Sequence, residues 1–284
     1  MNTCMLAHDY NDFRDKITGT FTITEKIDGI RCLAFKDDTS IAFKSRSNKP
    51  LEGLIDIIED LKSLPSGYVY DGELVHLNGD FSSTSSKVRT IGEVQGVHFL
   101  IFDIIPISEY DKGKSLDNYF NRRLALNSLI PITLSLPWII ILPVLYIGND
   151  ISEIDKHLKN LTDSGSEGIM INLSDSHYEL KRSRGILKYK KFSTVDLKII
   201  GIEKGMGKNK ERLGNLWVDY HGNEVKVGSG FTDEERQQIW DQRIHYLNKI
   251  VEVKYFEETT TKDKKGRVNH SLRFPTFLRF RFDK

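Results

Sequence analysis

Two runs of alternating apolar and polar residues meet at Asp28-Gly29, and Glu25-Lys26-Ile27-Asp28-Gly29-Ile30-Arg31 spans the junction. Period-two alternation predicts strands, with Phe21, Ile23 and Glu25 on one face and Thr22, Thr24 and Lys26 on the other. Asp28-Gly29 predicts a tight hairpin turn, because glycine accepts the positive φ such turns need. Residues 30–35 then read as the returning strand. Lys26 is thereby held at the end of a sheet, with Asp28 and Arg31 close by in sequence. A lysine amine has an ordinary pKa of ~10.4 and becomes a nucleophile when burial or neighbouring cations lower it. An isolated Lys-x-Asp-Gly reads equally as a solvated strand-end charge, so the downstream residues decide.

A chain of 284 residues has room for two domains. Its formal net charge is only +1, so a nucleic-acid partner would have to be held by a local patch. Cys4 and Cys32 and the histidines have no metal-type spacing, and two free thiols suit a reducing compartment. Residues 1–13 lack a basic-then-apolar leader. The one membrane candidate, residues 129–147, is broken by Pro131, Pro137 and Pro143 and reads as two buried strands. A soluble, cytoplasmic protein with no membrane partner is expected.

Residues 41–47, 68–75, 98–105, 166–172 and 186–192 read as strands. A helix is expected from Leu51, Leu54, Ile55, Ile58 and Leu61, and another over 117–129 with Phe120 and Leu124 inward. A third is capped by Ser152, carries Ile154, Leu158 and Leu161, and stops at Gly165. Residues 82–86 read as a Ser/Thr-rich loop. Beyond 192 the pattern changes to short strands at 195–202, 215–220, 224–227 and 249–256, with one helix opened by a Thr232/Glu235 capping box. That pattern suggests a small barrel of the oligonucleotide-binding (OB) type. The expected domains are 1–192 and 193–284.

Three carboxylate-bearing segments recur in order, with Asp28, then Asp71 and Glu73, then Glu167, each beside a glycine. Carboxylates around an amine suit a hard divalent cation held with phosphate oxygens and water. Lys181, Arg182, Arg184, Lys188, Lys190 and Lys191 form a basic block without an acidic residue. Lys188 and Lys190, two apart on a strand, share one face and suit a phosphate. The tail from Leu272 to Lys284 interleaves cations with aromatics, with Arg279 and Arg281 on one face and Phe280 and Phe282 on the other. So many cations on one edge strand suggest that something anionic approaches.

Lys26-Ile27-Asp28-Gly29-Ile30-Arg31 resembles motif I of the covalent nucleotidyltransferases, which comprise ATP-dependent DNA ligases, RNA ligases and mRNA capping enzymes. Ser45-Arg46 is similar to motif Ia, Asp71-Gly72-Glu73 to motif III and Phe102-Asp103 to motif IIIa. Glu167-Gly168-Ile169-Met170 is similar to motif IV and Leu187-Lys188-Tyr189-Lys190 to motif V. The tail, Arg273-Phe274-Pro275 through Arg281-Phe282-Asp283-Lys284, is similar to motif VI of DNA ligases. The matches run in family order to the last residue, the tail favours an ATP-dependent DNA ligase, and with no added module expected the chain resembles the minimal ligases of viruses, bacteriophages and some bacteria. Alternatives are an RNA ligase or capping guanylyltransferase or, from another class, a non-catalytic OB-fold binder.

The resemblance implies an α+β nucleotidyltransferase (adenylation) domain of mostly antiparallel sheets with flanking helices, followed by a C-terminal all-β OB-fold barrel. It implies Lys26 as the nucleophile that takes AMP from ATP, aided by Lys188, Lys190 and Arg31. Nucleotide contacts would come from Glu25, Lys26, Ile27, Arg31, Arg46, Glu73, Phe102, Met170, Lys188 and Lys190. Glu73 would contact the ribose, and Phe102 and Met170 would flank adenine. Mg²⁺ or Mn²⁺ would sit at Glu73 and Glu167, with Asp28 a further candidate. Arg31 and Arg46 would hold the 5′-phosphate of nicked duplex DNA. Arg279, Arg281, Asp283 and Lys284 would orient pyrophosphate once the barrel closes. A monomer is expected, with no N-terminal DNA-binding domain and only a short basic loop at 203–214, carrying Lys204, Lys208, Lys210 and Arg212, in place of a DNA clasp.

Overall fold

In the computed structural model, residues 3–77, 81–89, 92–262 and 266–282 are described. The chain forms two compact units, Met1–Lys190 and Lys191–Lys284.

The first unit is built on two large sheets, with a two-stranded ribbon of Lys114–Asn118 and His177–Glu179 beside them. One orders its strands Leu6–Asp9, Arg182–Lys190, Gly168–Leu173, Phe21–Glu25 and Val144–Gly148. The other orders Pro50–Leu51, Ile41–Ser45, Ile30–Lys36, Tyr68–Val75, His98–Pro106 and Ile139–Ile141. Most ladders are antiparallel. Leu6–Asp9 with Arg182–Lys190, and His98–Pro106 with Ile139–Ile141, are parallel.

This arrangement overturns the expected hairpin. Phe21–Glu25 and Ile30–Lys36 enter different sheets, so residues 26–29 form a crossing between them. Gly29 is not among the glycines with positive φ. Its hydrogen side chain serves close approach instead, since a Cβ there would lie 2.5 Å from the Leu74 carbonyl oxygen.

Alternation sets what each face does. On the first sheet Phe21, Ile23, Ile169, Ile171 and Leu187 pack together with Ile154 of the Ser152–Asp163 helix. Register puts Thr24, Met170 and Lys188 side by side on the opposite face. Thr22 and Thr24 are buried too, so this strand is covered on both sides. On the second sheet Cys32, Ala34, Tyr70, Leu74, Phe99 and Ile101 share a core with Ile57 and Leu61 of the Ile55–Leu61 helix and with Leu126. The other face supplies Leu33, Val69 and Ile105 to a smaller core, on which Met170 and Ile186 of the first sheet pack. The two sheets therefore stack through that face.

Several local expectations change. Residues 82–86 lie in a helix, Phe81–Val88. Leu51 ends a two-residue strand and helix starts only at Ile55. Ser152 lies inside its helix, and the Asp150 carboxylate accepts its N–H. In Tyr119–Asn127 the inward residues are Tyr119, Arg122, Arg123 and Leu126, while Phe120 and Leu124 are exposed. Arg122 faces inward because Asp103 receives its Nε and Nη2 at 2.8 and 3.0 Å, so a buried carboxylate, not apolarity, sets the helix's rotation. The stretch 129–147 gives the short helix Ile130–Thr133 before its two strands.

The second unit has an antiparallel sheet ordered Asn223–Val227, Leu213–Tyr220, Ser193–Lys204, Ile250–Tyr255 and Thr276–Phe280. The expected barrel is not closed by a full ladder among the described residues. The ends meet through a parallel bridge between Ser229 and Thr276. A two-stranded ribbon, Glu258–Lys262 with Val268–Leu272, adds strands the sequence pattern did not reveal. The Asp233–Asp241 helix opens on the anticipated capping box, with both reciprocal bonds formed.

Candidate active site

Lys26 follows the last residue of its strand, and its backbone N–H donates to Gly168 O at 2.9 Å. That contact sets Lys26 beside Glu167. Gly168 in turn pairs with Lys190. A Cβ at Gly168 would lie 2.2 Å from the Tyr189 carbonyl, and its φ is +153°, so only glycine fits this approach. The ammonium groups of Lys26 and Lys190 each donate to a different oxygen of Glu167. The side chains are 20% and 14% exposed and that of Glu167 only 3%, so the cluster lies at a protein–water boundary. Burial, then the neighbouring Lys26 charge, pulls the Lys190 amine below its ordinary range. Lys188 stands opposite Met170, in the same strand as Lys190.

The second sheet supplies a different cluster. Arg31 pairs with Glu73 in register, and Leu33 with Asp71. Asp71 is fully buried and receives Arg31 Nε and Nη2 at 2.5 and 2.6 Å, a two-pronged pair, plus the Tyr178 hydroxyl at 2.5 Å. Burial is the largest single influence and opposes the Arg31 charge, but Asp71, with Cys4 and Tyr178 adding to it, holds the guanidinium well above its ordinary range. Asp71 is thus an anchor for Arg31, which corrects its reading as one of the carboxylates for a cation. Tyr178 is a site residue that no spacing announced, since a lone tyrosine in a polar stretch carries no pattern.

Glu73 is the counterpart. Its Oε2 is buried with no hydrogen-bond partner. Burial pushes its carboxyl up to about 7, against the lowering influence of Arg31 and Lys26. An orphaned buried oxygen suits a ligand hydroxyl or a cation.

Phe102 owes its place to a β-bulge. Register between Tyr68–Val75 and His98–Pro106 runs Asp71 to Asp103 and then Gly72 to Ile101, which leaves Phe102 as the extra residue. A bulge re-aims a side chain out of the alternation. The Arg31 guanidinium lies 4.7 Å from the Phe102 ring centroid. Gly72 permits the close pairing, since a Cβ there would lie 2.3 Å from Leu100 O.

The remaining predicted residues are placed as follows. Met170 is half-buried against the core between the sheets. Arg46 is exposed just after its strand, and it acts with Arg31, Asp71 and Glu73 on the buried Cys4 thiol, which burial raises to about 11. Ile27 and Asp28 are half-buried in the crossing segment. Register sets Glu25 beside Ile169, away from Lys190, and Ser166 donates to it at 2.7 Å. In the second unit Arg279 Nε donates to Glu252 at 2.7 Å, and Arg281 donates to both Asp196 oxygens at 3.1 and 3.0 Å. The anions that meet these cations are the unit's own. Asp283 and Lys284 lie outside the described residues.

No group of three or more His, Cys, Asp or Glu side chains gathers to hold a metal among the described residues. Mg²⁺ does not need one, because it uses one or two carboxylates with phosphates and water. Glu73, with its unfilled oxygen, and Glu167, at the boundary, fit such a site.

The profile of the ATP dependent DNA ligase domain matches residues 4–190, and that of the DNA ligase OB-like domain matches 204–281. A DNA ligase of Archaeoglobus fulgidus is 27% identical over 300 residues, across 93% of this chain and 52% of that protein. The chain spans about half the length of the curated relatives it matches. The solved structure called Pmar-Lig_Pre is 31% identical, with a TM-score of 0.87, covering 98% of this chain and 67% of that one. A Lig E DNA ligase, described as binding DNA with a minimal scaffold, is 25% identical with a TM-score of 0.75 over 98% of both chains.

Proposed function

The chain belongs to the ATP-dependent DNA ligase family, and from that premise we propose that it seals nicks in duplex DNA through a lysyl-AMP intermediate. The observation that carries this reading is the meeting of Lys26, Glu167 and Lys190 within electrostatic reach of an unfilled Glu73. Glu73 feels both Lys26 and Glu167, so the clusters on the two sheets share one electrostatic site.

Lys26 Nζ attacks the α-phosphorus of ATP. The P–N bond forms as the bond to the β-phosphate bridging oxygen breaks, and pyrophosphate leaves. A 5′-phosphate oxygen at the nick then takes the AMP and frees the amine. The 3′-hydroxyl finally attacks the 5′-phosphorus and releases AMP. Two ammonium groups on one carboxylate leave a net positive charge, which draws an anionic triphosphate to the nucleophile. Lys190 and Lys188 neutralise the α-phosphate during transfer. Phe102 and Met170 take the adenine and Glu73 a ribose hydroxyl. Arg31, fixed by Asp71, and Arg46 hold the nick's 5′-phosphate. Glu167 and Glu73 would hold Mg²⁺, which supplies charge neutralisation at the phosphates when bound. Glu25, Ile27 and Asp28 contribute through the backbone beside the nucleotide. Arg279 and Arg281, with Asp283 and Lys284, orient pyrophosphate.

In this reading residues 1–192 are the adenylation domain and 193–284 the OB-fold domain. The protein acts as a monomer, in the compartment that holds its DNA. No helix among the described residues is long and apolar enough to cross a membrane.

The test is intact mass after exposure to ATP and Mg²⁺, then to nicked DNA or nicked RNA. The wild-type chain gains one AMP and Lys26→Ala does not, and the adduct is discharged on nicked DNA. Labelling by GTP alone, or an adduct that survives in Lys26→Ala, would overturn the assignment.

A further inference from the structure

Tyr178 lies outside every motif named above, yet its hydroxyl donates at 2.5 Å to Asp71 Oδ2, the oxygen that also accepts from Arg31 Nη2. Arg31 commits Nε and Nη2 to Asp71, and Nη2 also reaches the Met5 carbonyl at 3.5 Å. Nη1 makes no hydrogen bond among the described residues, and the side chain keeps 17% of its surface open. One edge of the guanidinium is thus fixed, and the other is left for an anion. Because the group is planar, fixing one edge aims the other.

The phenol is itself held in place. Tyr178 is buried on the strand His177–Glu179, and the ribbon partner of that strand carries Ser115. Tyr178 N–H donates to Ser115 Oγ at 2.8 Å, and Arg122 Nη1 donates to the same oxygen at 3.2 Å. The Arg122 guanidinium lies 5.7 Å from the Tyr178 ring centroid. It is anchored on Asp103, which pairs with Asp71 in register. Two buried acids therefore lie side by side, each bonded to its own arginine, and Tyr178 touches both pairs. Burial raises the Asp71 carboxyl and Asp103 adds to the rise, while Arg31 and the Tyr178 bond oppose it. A hydroxyl that left Asp71 would be stranded in the core, so it has one place to point.

We propose that Tyr178 is a positioning residue for recognition of the nick's 5′-phosphate: its hydroxyl locks the Asp71 carboxylate, which sets the plane of the Arg31 guanidinium and aims Nη1 at a phosphate oxygen. This rests on the reading above, in which Arg31 holds that phosphate. Asp71 supplies the charge that keeps Arg31 in place, and Tyr178 supplies the angle. A carboxylate turns about its single-bonded stem, and a second donor on a rigid aromatic side chain stops that turn. Without the hydroxyl, Asp71 Oδ2 loses a donor where no water replaces it, and the Arg31 fork follows the carboxylate as it turns.

The experiment uses the full chain already carrying AMP, with divalent metal chelated so that no nick reacts. It measures affinity for two nicked duplexes that differ only in a 5′-phosphate or a 5′-hydroxyl. The wild-type chain prefers the phosphorylated nick. Tyr178→Phe removes one oxygen and keeps the ring, and it lowers that preference about three- to tenfold, nearly all of it through the phosphorylated nick. Tyr178→p-aminophenylalanine, which returns a donor to Asp71, restores the preference. Arg31→Lys keeps the charge but loses the fork, and lowers the preference further. Full preference in Tyr178→Phe beside a loss in Arg31→Lys would overturn the role of Tyr178 and leave Arg31 its phosphate. Full preference in both would overturn the Arg31 reading and this inference with it. Equal weakening of both nicks in Tyr178→Phe, or no rescue by the amino group, would reduce Tyr178 to packing and overturn the proposal.

Discussion

Two charged clusters lie in the first unit, and they differ in how their charges are matched. Around Glu167, two ammonium groups divide one carboxylate between them. Around Asp71, one guanidinium takes both oxygens and a phenol takes what is left. The first cluster lies at the boundary with water, where an amine can exchange Glu167 for an incoming phosphate at modest cost. The second is closed and buried, so it fixes geometry. In the proposed reaction a nucleophile has to be released and a substrate clamp has to be held, and the two clusters differ as lysine and arginine do.

The sharpest way to break this contrast is Lys26→Arg. Arginine keeps the pair with Glu167 but stays protonated, so AMP adduct formation by intact mass is lost completely. If charge alone sufficed, an adduct would persist. Next is Asp71→Ala, which strands the buried Arg31 and destabilises the first unit by about 3–5 kcal/mol in urea denaturation. A loss below about 1 kcal/mol would show that the Arg31 pair is not the rigid one.

Glu73, two residues on from Asp71, gives the third test. Its folded carboxyl titrates at about 7, above the ordinary 4.5. The native state therefore holds a proton that the unfolded chain has already lost. Stability from this group is complete below the unfolded value and is lost as pH rises through about 7. The loss is on the order of 3 kcal/mol. Glu73→Gln removes that slope between pH 5 and 8, and an unchanged slope would assign it to another group. The smallest effect belongs to Arg279→Ala. Its side chain is 67% exposed, so the pair with Glu252 is screened by solvent and stability changes by less than about 1 kcal/mol. AMP uptake from ATP slows, while sealing of DNA already carrying AMP does not. Equal slowing of both would remove Arg279 from pyrophosphate orientation.

The motif residues were legible because they are written in residue types at short spacing. Lys188 and Lys190 share a face by period alone, and only the register shows Lys188 beside Met170. The capping box at Thr232 and Glu235 formed for the same local reason. What failed was pairing across distance. Asp28-Gly29 reads as a hairpin, yet the strands on either side join different sheets. Phe120 and Leu124 read as the inner face of their helix, yet Arg122 turns that face outward to reach Asp103. The bulge at Phe102 and the partnership of Tyr178 with Asp71 left no periodic trace.

The atoms on offer are readable without coordinates: a strand-end amine, acidic groups beside glycines, and paired cations on one face. Those depend on covalent order and on the two-residue repeat of an extended chain. Long-range packing alone settled which acid pairs with Lys26 and which anchors Arg31. Asp71 and Glu73 lie two residues apart on one strand, and only their long-range neighbours leave one fully bonded and the other orphaned.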